Sequence, residues 1–129
     1  MSLLRAAALF VATTILAGCA VLTADGERLA LTSPEFRAYV ERVFREQNRV
    51  ADQFAFALEG ERAAPAGVMA AEQSLLDACA ALNELATARR DERHLSLRQR
   101  STAARSAPMC ERTMRASVAT LEAWRATQH

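Results

Sequence analysis

The sequence predicts an all-α protein, a small up-down-up bundle of three long helices. Good helix formers fill most of the 129-residue chain, and only four glycines and three prolines interrupt them. Three stretches repeat apolar residues at alternating spacings of four and three, the period of long helices that pack at about 20°. No segment alternates β-branched and polar residues as a half-buried strand does.

The first helix is predicted to begin at Ser33, a good N-cap residue, with Pro34 at the first helical position. Gly60 and the Ala/Pro/Gly stretch over 63–67 are expected to end it. Its inward positions follow the 4-3 spacing: Phe36, Val40, Val43, Gln47, Val50, Phe54 and Ala57.

The second helix is predicted to begin near Val68 and to end in the polar run 89–94, where we place a turn. Leu76 and Leu85 widen its apolar face. The central stripe of that face consists of Leu75, Cys79, Leu82 and Ala86.

The third helix has two candidate starts. Ser96 with Gln99 fits a capping box, whereas Ser106 stands just ahead of Pro108. Because a proline inside a helix costs about 3 kcal/mol, a break or kink near Pro108 is expected with either start. The inward stripe consists of Ala107, Cys110, Met114, Ser117, Leu121 and Trp124. A two-helix hairpin completed by a partner's helices is the alternative architecture.

The amino-terminal segment has the order of a bacterial export signal. It carries one positive charge at Arg5, then an uncharged run over 6–15, then small residues. The run is shorter than the roughly 20 apolar residues that a membrane span needs. The motif that follows, Leu16-Ala17-Gly18-Cys19, resembles the lipobox of bacterial lipoproteins.

This resemblance implies that a signal peptidase cuts before Cys19, that diacylglycerol is attached to its sulfur and that its amino group is acylated. Each buried methylene contributes about 0.8 kcal/mol, so two or three acyl chains hold a protein on a bilayer. Ala20 after the cysteine implies sorting to the periplasmic face of the outer membrane of a Gram-negative cell. The alternatives are cleavage after Ala20, which leaves a soluble periplasmic protein, and a short uncleaved anchor.

The chain therefore divides into three predicted parts. Residues 1–18 form the signal peptide, 19–32 a flexible tether and 33–128 the helical domain. The tether contains the turn signal Asp25-Gly26 and would span ~20 Å as a coil.

Two cysteines remain for the folded part, Cys79 and Cys110, and both lie on inward stripes. With a turn near 92–95, the rise per residue places them about 18 and 21 Å from it along antiparallel helices. An oxidising compartment then favours a disulfide between them. Two reduced, buried thiols are the alternative.

The charges are unevenly distributed. Residues 19–88 hold six arginines and eleven acids, whereas 89–129 hold nine arginines and four acids, so the two parts carry net charges of −5 and +5. The basic run is expected at the membrane-facing end, where it would contact anionic lipid or an acidic partner, or form a solvated turn. It consists of Arg89, Arg90, Arg93, Arg98, Arg100 and Arg105. An export signal argues against nucleic acid as the ligand.

No motif indicates catalysis. His94 lacks convergent partners, and the chain has neither a Gly-rich phosphate loop nor a C-x-x-C-H haem motif. We expect no enzyme, no metal and no cofactor other than the lipid on Cys19. The sequence favours a membrane-anchored accessory or scaffold subunit of a cell-envelope protein complex. A periplasmic module that binds a small ligand or inhibits an envelope enzyme is the alternative.

Overall fold

The computed structural model describes residues 19–59 and 64–128. The predicted signal peptide lies outside this part of the chain. Three helices pack against one another in up-down-up order, which confirms the all-α bundle, and a small hairpin precedes them. The elements are β1 (Ala20–Leu22), β2 (Arg28–Ala30), α1 (Pro34–Leu58), α2 (Ala66–Arg90) and α3 (Leu97–Ala126).

The start of α1 agrees with the sequence prediction. The Ser33 hydroxyl accepts a hydrogen bond from the Phe36 amide at 3.0 Å and donates one to the Ala30 carbonyl at 2.7 Å. One side chain therefore caps the helix and fixes the end of the hairpin against it. Gly60 lies outside the described residues.

Helix α3 begins at the earlier of its two candidate starts. Ser96 and Gln99 form a reciprocal capping box, with hydrogen bonds of 2.8 and 3.2 Å. The helix then continues through Pro108 to Ala126, so the predicted break does not occur, and the kink stays a prediction. Pro108 is itself buried, and Ala107 and Cys110 beside it lie in the core. The burial of Pro108 and its neighbours counteracts the cost of the missing hydrogen bond.

The segment predicted as a flexible tether is a docked β-hairpin, so that prediction is wrong. Ala20 pairs with Ala30 in the antiparallel ladder, and a turn with Gly26 at φ 83° connects the strands. Val21, Leu29 and Leu31 pack against the core. Strands of three residues are too short to show a sequence period, and their stability comes from this packing.

The core lies where the three inward stripes meet. In α1 the buried stripe includes Tyr39, whereas the predicted Val40 is only partly buried. Ala86 and Trp124 also lie at the margin of the core. The largest completely buried side chains are Phe54, Leu75, Leu82, Leu121, Gln47, Glu111 and Val43.

The predicted disulfide joins α2 to α3. Cys79 and Cys110 are bonded, with Cα atoms 4.8 Å apart, and both residues are completely buried. The bond closes a loop across 31 positions of the sequence and stabilises the fold by about 3 to 4 kcal/mol on the chain-entropy account. Among the described residues, none of the helices is long and apolar enough to cross a bilayer.

Candidate functional site

Cys19, the predicted lipid-bearing residue, stands at the open end of the hairpin. It is solvent-exposed and lies one residue before β1. Its carbonyl accepts a hydrogen bond of 2.8 Å from the Leu31 amide. The sulfur is therefore accessible while the backbone of the same residue belongs to the folded domain.

The α2–α3 turn has a well-defined backbone. The Arg93 amide donates to the Ala88 carbonyl at 2.8 Å, and the Glu92 amide donates to the Arg89 carbonyl at 3.3 Å. These are the two hydrogen bonds of a Schellman motif, which requires a left-handed residue after the helix. Glu92 occupies that position with φ 54°, a conformation in which glycine is more usual.

This turn brings together three of the six predicted arginines. Arg89, Arg93 and Arg100 line one open cavity of about 220 Å³, and His94 lies at the same rim. Its apolar wall is formed by Leu85, Ala88 and Leu95. Three guanidinium groups around one cavity form a cationic site.

The other three arginines lie outside this cavity. Arg90 pairs with Asp91 at 3.0 Å, and Arg105 donates to the Ser101 hydroxyl at 3.3 Å. Arg98 lines a separate depression of about 240 Å³ that it shares with Glu84. The cavity therefore includes only half of the predicted basic run.

Acidic neighbours neutralise the cavity only in part. Arg93 donates to the Glu84 carboxylate at 3.0 Å and lies 3.9 Å from that of Asp91. Within residues 19–59 and 64–128, no carboxylate pairs with Arg89 or Arg100. The guanidinium groups of Arg89 and Arg100 thus lie at the cavity without an ion pair in the described residues, and Arg89 also borders a depression that Glu41 lines.

A second polar cluster, which the sequence did not indicate, joins the hairpin to the bundle. It is centred on the completely buried carboxylate of Glu111 in α3. That carboxylate accepts hydrogen bonds from the Tyr39 hydroxyl at 2.7 Å, from Arg42 at 3.1 Å and from Arg115 at 2.7 Å. Arg115 also forms a bidentate pair with Asp25 of the hairpin, at 2.7 and 3.0 Å.

The pKa directions describe a charged and tightly held cluster. Burial opposes ionisation of Glu111, but hydrogen bonds from Tyr39 and Arg42 outweigh it, and the pKa of this carboxyl lies below its ordinary value. Burial and the bond to Glu111 raise the pKa of Tyr39. The hydrogen bond from Arg115 lowers the pKa of Asp25.

The Glu111 cluster has the geometry of a structural support. The Tyr39 ring also stacks under the Arg42 guanidinium, 5.3 Å from the ring centroid. The buried carboxylate of Glu111 is therefore held by donors of the protein itself, and no polar side-chain atom buried in the described residues lacks a partner. An acid next to the inward stripe of α3, with Arg115 one helical turn further along, is the sequence signal for such a cluster, and it is a weak one.

The described residues contain no group of three or more His, Cys, Asp or Glu side chains that could hold a metal ion. The fold and these sites define a disulfide-linked three-helix bundle with a docked amino-terminal hairpin. No protein-family profile, curated protein sequence or solved structure gives a significant match to the chain.

Proposed function

We propose that this protein is a lipid-anchored helical protein of the bacterial cell envelope. It has no catalytic activity and acts as an accessory or scaffold subunit of an envelope protein complex. The observation that carries the proposal is the position of Cys19, exposed at the open end of a hairpin whose strands pack on the bundle. The sequence that ends at this cysteine resembles a lipobox, the motif at which a diacylglyceryl group is attached to the cysteine sulfur.

Because Cys19 belongs to the hairpin, a lipid on its sulfur would hold the domain close to the membrane. With the backbone of Cys19 bonded to Leu31, acyl chains on its sulfur are joined to the domain without a free linker. The open end of the hairpin leads into the start of α1, so the anchor lies at that end of the bundle. A subunit held in this way presents the outer face of its helices to a neighbour at a fixed distance from the membrane.

The Cys79–Cys110 bond supports the location outside the cytoplasm. Disulfides form and persist in oxidising compartments such as the periplasm and are rare in the cytosol. A buried cross-link between two helices of a small domain is therefore consistent with export. We propose the periplasmic face of the outer membrane as the site of anchoring, on the residue type at position 20.

The partner contact that we propose lies on the outer face of α2. Met69 and Leu76 are 56% and 41% exposed, and they stand seven residues apart, on one face of the helix. Exposed apolar side chains in such a stripe suit the groove or helix face of another protein. Since both lie outside the core of this chain, replacing them leaves the bundle intact.

Affinity purification after mild detergent extraction tests the scaffold role. We expect one envelope protein to remain bound in a fixed ratio through size-exclusion chromatography. The double variant Met69→Glu/Leu76→Glu should release it, whereas Phe56→Glu/Met109→Glu, which changes two other exposed apolar residues, should retain it. A chain that is monomeric after purification in every variant contradicts the proposal.

A further inference from the structure

The cavity at the α2–α3 turn has the composition of a phosphate site. Arg89, Arg93 and Arg100 surround a volume of about 220 Å³, large enough for a phosphate group and its first substituent. Guanidinium groups present paired donors that match phosphate oxygens in a bidentate geometry. The apolar wall lowers the local dielectric and strengthens these contacts.

The charge balance of the cavity favours an anion over a neutral ligand. Glu84 and Asp91 compensate Arg93, but Arg89 and Arg100 have no carboxylate partner in the described part of the chain. Glu92 is the remaining acid of the turn, and it is exposed. An incoming phosphate therefore gains two charge-assisted contacts and breaks no ion pair at these two arginines.

The surface around the cavity indicates where the phosphate comes from. Leu97, the first residue of α3, is 78% exposed and is followed directly by Arg98. An exposed leucine among arginines suits the boundary between headgroups and acyl chains of a membrane. In a three-helix antiparallel bundle this turn also lies at the end where α1 begins, the end that carries Cys19.

We infer that the α2–α3 turn is a binding site for the phosphate of an anionic phospholipid headgroup, held by Arg89 and Arg100, with Leu97 inserted beside it. The inference rests on the proposed function only for the source of the lipid, because Cys19 would bring this end to a bilayer. Binding then fixes the tilt of the bundle on the membrane, which a lipid anchor alone does not.

Vesicle co-sedimentation of the unlipidated chain tests the site. A chain that begins at Ala20 loses the hydrogen bond between Leu31 and the Cys19 carbonyl but keeps the hairpin ladder, the core, the disulfide and the Glu111 cluster. We expect it to bind vesicles of phosphatidylglycerol and phosphatidylcholine in equal parts and to bind phosphatidylcholine alone weakly. Arg89→Gln/Arg100→Gln should reduce the partition coefficient at least about tenfold, because each arginine near a headgroup contributes about 1 kcal/mol.

The control variant changes the net charge by the same amount, at positions outside the α2–α3 turn. Arg49→Gln/Arg112→Gln removes two exposed arginines from the outer faces of α1 and α3. It should lower the partition coefficient less than about threefold, since these positions lie away from the turn. Equal losses in the two double variants, with unchanged thermal unfolding, overturn the inference in favour of non-specific charge attraction.

Two further experiments identify the ligand of this site. Leu97→Ser should weaken binding several-fold, and an unchanged partition coefficient contradicts insertion of this side chain. Soluble glycerol phosphate should perturb the amide signals of His94 and Arg100 only at high concentration. If it saturates the site as readily as vesicles do, the ligand is a free phosphate ester and not a membrane lipid. Because the assay uses a chain without Cys19, a negative result would reject the phosphate site without bearing on whether Cys19 carries a lipid.

Discussion

The Tyr39 hydroxyl of α1 donates a 2.7 Å hydrogen bond to the buried Glu111 carboxylate of α3, across 72 positions of the sequence. Glu111 thus places a negative charge inside a mainly apolar core. Arg42 and Arg115 compensate that charge from the surface side, where both are partly exposed. Removing one member of such a buried charged group leaves the others uncompensated, which is strongly destabilising.

Glu111→Gln should destabilise the fold strongly. The amide keeps the shape of the side chain but offers one acceptor oxygen instead of two and directs an NH₂ group toward one of its former donors. We expect the free energy of unfolding to fall by about 2 to 4 kcal/mol in urea denaturation.

Glu46→Gln is the matched control, since Glu46 pairs with the same Arg42 at 3.2 Å but is more than one-third exposed. Its effect should stay below about 0.5 kcal/mol. Equal effects of the two substitutions contradict the structural role assigned to Glu111.

Stability should fall in acid. The pKa of Glu111 is lowered in the folded state from its ordinary value of 4.5, so its contribution is present above that pH and is lost as the pH falls below it. The pKa of Asp25 is also lowered in the folded state, from an ordinary value of 3.8, so Asp25 changes the stability in the same direction. Urea denaturation from pH 7 to pH 3 should show a plateau and then a decline. In Glu111→Gln the decline should be smaller, and an equal decline in both proteins contradicts this assignment.

Removal of the disulfide should cost about 3 to 4 kcal/mol. The bond closes a 31-residue separation, and its loss increases the entropy of the unfolded chain. The comparison is between the oxidised protein and Cys79→Ala/Cys110→Ala in chemical denaturation, with the reduced wild type as a second reference. An unfolding midpoint that does not change on reduction contradicts a stabilising cross-link.

Glu92→Gly should stabilise the protein by about 0.5 to 1 kcal/mol. Glu92 adopts φ 54° at the end of α2, where a β-carbon is unfavourable and glycine is not. His94→Gly, two residues further along the exposed turn, is the control. It should be neutral or slightly destabilising, because His94 does not have a positive φ. Thermal unfolding of the two variants measures the difference.

Asp25→Asn should loosen the hairpin without unfolding the bundle. The substitution removes the charge that Arg115 binds in a bidentate pair. Hydrogen exchange at the Thr23, Glu27 and Leu31 amides, all bonded within the hairpin, should accelerate several-fold while the helices keep their protection. Glu27→Gln is the control in the same hairpin. Exchange of these amides at the unfolded rate in the unchanged protein would show that the segment is a tether after all.

The helices were predictable because each one is marked locally. Ser33 and Pro34 define the start of α1, Ser96 and Gln99 that of α3, and the 4-3 stripes give the inward faces. The Cys79–Cys110 pairing followed from the same periodicity, since helical rise alone places both residues at one level. These features depend on short-range pattern and regular geometry.

The remaining features depend on contacts between distant parts of the chain. The hairpin has strands of three residues, and its docking depends on Tyr39 and Arg115, which belong to α1 and α3. In the sequence, Glu111 is a polar residue next to Cys110. Only the packed structure shows the three side chains that donate hydrogen bonds to it. Continuity of α3 through Pro108 likewise results from tertiary packing that overrides a local penalty. The cavity at the α2–α3 turn depends on how the Schellman motif orients the arginines.

The intact mass of the native protein, extracted from the membrane fraction, shows whether Cys19 carries a lipid. We expect a chain that begins at Cys19 and carries thioether-linked diacylglycerol and an acylated amino group, with Cys79 and Cys110 two hydrogens lighter as a disulfide. Recovery of an unmodified chain that still begins at Met1, or of a lipid-free chain that begins after Ala20, would contradict a lipid anchor on this protein.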